Sequence, residues 1–110
     1  MSISWSDFEK VDIRVGTIVK AEPFLKAKTP AYKLWIDFGP LGVKKSSAQL
    51  TKRYPLESLA GKQVLAVVNF EPKQVADFMS ECLTLGVIPV KGDAVLACLD
   101  ERVENGLKLC

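Results

Sequence analysis

From Tyr32 to Phe38 the chain alternates, with Tyr32, Leu34, Ile36 and Phe38 apolar and Lys33, Trp35 and Asp37 between them polar apart from one tryptophan. A period of two places the four apolar side chains on one face of a strand and the other three on the opposite face. Gly39-Pro40-Leu41-Gly42 then makes a turn, and Val43 to Leu50 reads as a strand that folds back on the first as a hairpin. An isolated hairpin is barely stable in water, so the remaining residues must supply strands that cover its apolar face.

They do. Asp12 to Glu22 alternates too, with Ile13, Val15, Thr17, Val19 and Ala21 on one side and Asp12, Arg14, Gly16, Ile18 and Lys20 on the other. Gly16 inside this run suits a sharply coiled strand that turns a barrel corner. Pro23 to Pro30 breaks the period and reads as a loop carrying Lys26 and Lys28. Upstream, Ser6-Asp7-Phe8-Glu9 fits a capping box and predicts a one-turn helix over 6–10, with Trp5 and Phe8 as a lid on the core or a dimer contact. Downstream, Leu56 to Ala60 predicts a helical turn closed by Gly61. Lys62 to Phe70 contains Val64-Leu65-Ala66-Val67-Val68, apolar on both faces, and a second subunit is one candidate for its outer cover. Pro72 opens a short helix in which Val75, Phe78 and Met79 share a face. Glu81 to Val87 and Ala94 to Leu99 are two more strands around a Pro-Val-Lys-Gly-Asp turn, and Asn105-Gly106 turns the chain into a last strand, Leu107 to Cys110.

A long loop after the first strand, a hairpin of strands two and three, and a helical insert between later strands predict an all-β fold with short helices. The architecture is a five-stranded Greek-key barrel of the OB type, whose binding face lies on strands two and three with the flanking loops. Residues 12–110 form that domain, and 1–11 a helical extension available for a dimer contact.

Composition narrows the chemistry. A chain of 110 residues holds one domain, and its apolar fraction of 48% with a mean hydropathy of +0.14 leaves apolar surface for a partner. No apolar run reaches the roughly 18–20 residues of a membrane span, and Met1-Ser2-Ile3-Ser4-Trp5-Ser6-Asp7 lacks the basic start of a secretion signal, so the chain reads as cytoplasmic. There is no histidine, which removes histidine-based nucleophile arrangements and metal sites. Cys82, Cys98 and Cys110 show no metal or redox spacing, and Cys82 and Cys98 read as small core residues. No glycine-rich phosphate loop is present. The expectation is a binding protein without catalysis, metal or cofactor. Charge is uneven: residues 1–19 hold two basic and three acidic groups, 20–73 ten and four, and 74–110 three and six. The basic middle can build a local patch that attracts phosphates.

Three stretches closely resemble the CsaA-type tRNA-binding domain proteins: Asp7-Phe8 with Lys10 to Val19, Lys33-Leu34 with Ile36 to Gly39, and Lys45 to Lys52 with Tyr54. Gly61 to Val64, Val67 to Phe70 with Pro72-Lys73, and Ser80-Glu81 with Leu83, Leu85 and Gly86 extend the resemblance through the second half. The resemblance implies an OB-fold homodimer that binds tRNA by shape and backbone, and a chaperone role toward unfolded or secretory polypeptides. Many members carry glycine where this chain has Asp77, an acidic group that would repel phosphate near Lys73.

Structured RNA hides its major groove, so a small basic barrel would meet phosphates, 2′-hydroxyls and splayed bases. Lys44, Lys45, Ser47 and Gln49 on strand three, Lys52 and Arg53 just after it, and Lys33 on strand two are the candidate contacts. Asn69, Lys73 and Ser80 join them through the resemblance; Asn69 and Ser80 are equally suited to tying down a loop through backbone bonds. Trp35 can stack a base, cover apolar surface or line a peptide site. In the alternative reading, a dimeric chaperone holds extended polypeptides in an apolar groove lined by Trp35, Phe78 and Met79. A third reading makes the chain a partner of a synthetase.

Overall fold

The computed structural model describes residues 1–91 and 93–110. The predicted alternation becomes strand β2 (Tyr32–Asp37), with Leu34, Ile36 and the following Phe38 completely buried. It pairs antiparallel with β3 (Val43–Ala48) across a 3-10 turn at Gly39–Leu41, as the hairpin pattern requires. On its other side lies β1 (Ile13–Pro23), whose first half pairs with β4 (Gln63–Val67). β4 in turn meets the short β7 (Leu83–Thr84), giving the order β3-β2-β1-β4-β7. The ends of this sheet approach each other. Thr84 Oγ1 donates to Ser46 Oγ at 2.9 Å, and the amides of Glu81 and Cys82 both reach the Lys45 carbonyl. The result is a nearly closed five-stranded antiparallel barrel with very little helix, as expected.

Ile18, Leu34, Ile36, Phe38, Leu59 and Val64 fill the interior. Burial of such side chains stabilises by about 1.5–3 kcal/mol each. Gly16 belongs to this packing, since a Cβ there would fall 2.6 Å from Ile36 Cγ2 and 2.7 Å from the Phe38 ring. Its missing side chain makes room for the phenylalanine.

Several elements differ from the sequence reading, each for a local reason. The alternation of β1 is broken by a bulge between Ile18 and Lys20, so that Ile18 enters the core while Val19 is half exposed. The N-terminal helix α1 is Trp5–Glu9, one residue earlier than expected. Its cap is Ser4, which accepts from the Asp7 amide while Asp7 accepts from the Ser4 amide. The segment after Pro72 is no helix. It forms a hairpin of β5 (Lys73–Val75) and β6 (Phe78–Ser80), turning at Ala76, which takes φ +51°. Phe78 is consequently buried and Met79 faces away from it, exposed. Spacing of i, i+3 and i+4 fits a tight hairpin as well as a helix.

Leu65 and Val67 of β4 are buried within the single chain, so no second copy is needed to cover that strand. Leu65 bonds through its backbone to Ala97 and Leu85. The later strands are β8 (Gly86–Val90) and β9 (Asp93–Leu96); Gly92 of the predicted turn lies outside the described residues. Because β9 stops at Leu96, Cys98 is exposed and not in the core, whereas Cys82 is buried. Residues 56–58 form the expected helical turn as 3-10, and Gly61 ends it at φ +93°. The last residues make a strap along β1, with the Val15 amide on Leu107 O, the Leu109 amide on Ile13 O and one bridge between Arg14 and Lys108. No full strand forms there. Gly106 turns the chain into the strap at φ +95°, so close that a Cβ would sit 2.6 Å from Phe38 O. Among the described residues no helix is long and apolar enough to cross a membrane.

Candidate nucleic-acid interface

The strand faces opposite the core carry the chemistry. On the outer side of β2 stand Lys33 and Trp35; opposite them in register are Ser47 and Lys45 of β3, and Glu22 and Lys20 of β1. Lys20 reaches this face because of the β1 bulge. The β5–β6 hairpin covers the middle of the patch, where Phe78 packs edge-on against Trp35 at 5.7 Å and against Phe24 at 5.5 Å. Around these rings the lysines are arrayed in contact. Lys20 Nζ lies 4.5 Å from the centre of the Trp35 ring, Lys33 Nζ 5.1 Å from Phe24 and 5.5 Å from Phe78, and Lys45 Nζ 5.3 Å from Phe78. Ring faces attract ammonium groups, and lysine stems bury along apolar surface while their heads stay in water. Three flexible cations are thereby given defined positions on one sheet face, with one carboxylate, Glu22, 3.1 Å from Lys20.

Two loops flank the patch. The loop after β1 brings Lys26 and Lys28, and the hairpin tip brings Ala76 and Asp77. A pocket of about 320 Å³ between them is lined by Lys26, Lys28 and Thr29 on one side and by Ser47 and Gln49 of the β3 edge on another. Lys26 Nζ meets Asp77 Oδ2 at 3.2 Å across this gap, and that contact holds the Asp77 carboxyl below the usual carboxylate range. Asp77 thus pairs with a lysine of the first loop.

Lys33, Lys45, Ser47 and Gln49 come together on this face. Ser80 joins them at the hairpin foot, accepting the Ser47 amide at 3.2 Å and donating to Cys82 O at 3.4 Å. Lys73, its partner in the hairpin, is exposed and lines a separate cleft of about 490 Å³ with Phe70, Glu71, Glu81, Cys82 and Leu83. Burial pushes the Cys82 thiol at that cleft up to about 12, which leaves it protonated and without nucleophilic use. Lys44 stands on the other side of β3 from Lys45, in register with Ile36. Lys52 and Arg53 lie in the exposed turn after β3, and Arg53 is paired at 3.0 Å with Asp93 of β9. Asn69 spends both ends of its amide on backbone near α1, accepting the Asp12 amide at 3.0 Å and donating to Lys10 O at 2.7 Å. Trp35 and Phe78 are packed together, and Met79 faces outward from the hairpin.

One ring and one cation of this array are not visible in the sequence pattern. Phe24 was part of a loop without a period, and Lys20 was one polar position of a strand whose bulge was not foreseen. A pairing argument would have found Lys20, because the strand register sets it beside Trp35.

A lysine-studded OB barrel has relatives. Residues 13–108 match the model of the family named "Putative tRNA binding domain". The chain belongs to this family. Among solved structures, the tRNA-binding-domain fold seen here is shared with the chaperone CsaA of Bacillus anthracis str. Ames, at 50% identity, full coverage of both chains and a TM-score of 0.95. The CsaA chaperone protein of Picrophilus torridus is 45% identical over 99% of this chain and 100% of that one, with a TM-score of 0.90. A methionine–tRNA ligase of Chlorobium chlorochromatii is 40% identical over 86 residues, 78% of this chain. The chain spans only 12% of that ligase. The same domain therefore stands at full length in the CsaA structures and as a small part of a synthetase.

Proposed function

We propose that the chain is a non-catalytic RNA-binding protein of the cytoplasm whose ligand is tRNA, held through its backbone on the outer face of β1, β2 and β3. The observation that carries this is the array of Lys20, Lys33 and Lys45 fixed at 4.5–5.5 Å from one aromatic cluster. Cations spaced by a rigid sheet suit successive phosphates and read shape more than sequence. Ser47, Gln49, Lys26 and Lys28 extend the surface, with Lys44, Lys52, Arg53 and Lys73 at its borders and Ser80 shaping it, while Asn69 ties the β4 end to the backbone near α1.

The test is a titration of labelled bulk tRNA at low and near-physiological salt, with a Lys33→Glu/Lys45→Glu variant alongside. Affinity is expected to fall steeply with salt, the logarithmic slope changing by roughly 0.7–0.9 for each phosphate contact, and to be lost in the variant. Salt-independent binding, or full binding by the variant, would overturn the assignment.

A second reading rests on the cleft at Lys73, where Phe70 and Leu83 remain 59% and 48% exposed. It suits apolar side chains of an unfolded or secretory polypeptide, and the CsaA structures carry the name chaperone. Such binding should hold or strengthen as salt rises. We further propose that the working unit is a homodimer. Val87, Ile88 and Val90 on the β8–β9 hairpin are each 63–66% exposed, and Trp5 at the N-terminus is 78% exposed. Apolar groups so presented mark association surfaces. A sedimentation profile at the single-chain mass of 12.1 kDa would remove the dimer.

A further inference from the structure

Besides Glu22 beside Lys20, the cations of this surface meet a second carboxylate, Asp77, at the hairpin tip. Its place is fixed: the hairpin tip turns at Ala76 with φ +51°, and Gln74 Nε2 donates to Ala76 O at 2.8 Å. From that tip the Asp77 carboxylate reaches Lys26 Nζ at 3.2 Å, on the opposite wall of the 320 Å³ pocket, and lies within the field of Lys33. Both side chains are largely open to water, 73% for Lys26 and 45% for Asp77, so the pair is exchangeable.

We propose that Asp77 stands in for a backbone phosphate: in the free protein it occupies Lys26, and only an RNA whose other phosphates are already seated on the lysine array displaces it. This rests on the assignment of the lysine face to RNA. The chemistry is a swap of one oxygen anion for another at the same ammonium. A short or isolated anion gains nothing by the swap, because it merely replaces a carboxylate already present and meets its repulsion. A folded RNA pinned at Lys20, Lys33 and Lys45 presents a further phosphate at high effective concentration and wins the exchange. Asp77 is then a specificity-determining residue that keeps the basic loop from capturing any polyanion.

The experiment compares wild type with Asp77→Asn, Lys26→Met and the double variant, each titrated with folded tRNA and with a short unstructured oligouridylate. Breaking an exposed pair is expected to raise tRNA affinity about two- to fivefold at low salt in Asp77→Asn, and the oligouridylate affinity by a larger factor. In the Lys26→Met background the same substitution should raise the affinity for either ligand by a clearly smaller factor, the remainder coming from Lys33, and the melting midpoints of the variants should match wild type. Weaker tRNA binding by Asp77→Asn would overturn the proposal and make Asp77 a positioning residue for Lys26. An equal gain with Lys26 absent would also overturn it, leaving only a general charge effect. Failure of the wild type to bind tRNA at all would instead remove the RNA assignment beneath it, and that outcome is visible before any variant is measured.

Discussion

Leu34 and Trp35 are neighbours in the chain and enter two different interiors. Leu34 is completely buried with Ile18, Ile36, Phe38 and Val64, where Ser46, the fully enclosed polar side chain among the described residues, is engaged by the Thr84 hydroxyl. Trp35, one residue on, packs with Phe24 and Phe78 in a second cluster only a hairpin thick, ringed by the ammonium groups of Lys20, Lys33 and Lys45. The barrel interior has no place for an unpaired charge, whose desolvation would cost far more than packing returns. The outer cluster is shallow enough that lysine stems bury while their heads reach water. One strand therefore separates the packing that holds the fold from the packing that positions cations.

Emptying each interior in turn tests that separation most directly. Phe38→Ala should cost about 3–5 kcal/mol by urea denaturation, since it opens a cavity in the centre of the barrel. A loss under about 1 kcal/mol would mean the barrel does not centre there. Phe78→Ala should cost less, about 2–3 kcal/mol, because its cluster is thinner and partly open. Its strand signal in circular dichroism should survive while tRNA affinity at low salt falls, since Lys33 and Lys45 lose the ring they contact and Lys20 loses the support that this ring gives Trp35. If Phe78→Ala unfolds the chain as fully as Phe38→Ala, the two clusters are one.

The smallest effect concerns the buried thiol on the barrel side. Cys82 has its proton affinity raised to about 12 by burial, against 9.0 for a free thiol. The folded chain therefore holds that proton between these values while the unfolded chain releases it. The contribution is complete below pH 9 and declines as pH rises toward 12, by about 1 kcal/mol between pH 9 and pH 10. Urea midpoints across that range should drop, and should drop less in Cys82→Ala. Equal slopes would mean that the thiol is wetter than the barrel interior.

The barrel was legible because its signals are local. Alternation over 32–38, the turn at 39–42 and the helical stop at Gly61 each depend on a few adjacent residues, and each is found where it was expected. The misses depend on partners distant in the chain. Nothing near Val19 announces a bulge; it follows from holding Ile18 against β2 while β1 also pairs with β4. The spacing of Val75, Phe78 and Met79 reads as a helix until Phe24 and Trp35, some forty or more residues away, draw Phe78 to one side. Ser4 and Asp7 cap α1 in place of Ser6 and Glu9 through the same chemistry two residues earlier. The basic stretch was visible in the sequence, but its division between the Lys20–Lys33–Lys45 array and the Arg53–Asp93 pair depends on register and on a later strand.

The strap has a bearing on how such a molecule is made. Val15 accepts the Gly106 amide, Ile13 accepts the Leu109 amide, and Arg14 donates to the Gly106 carbonyl, 92 positions away. Closing so long a loop is entropically costly and slow compared with forming a hairpin. During synthesis, the start of the first strand keeps part of one edge unfilled until the strap, 92 positions after Arg14, has also emerged. Until it does, that unfilled strand edge is a site for wrong pairing in nascent chains.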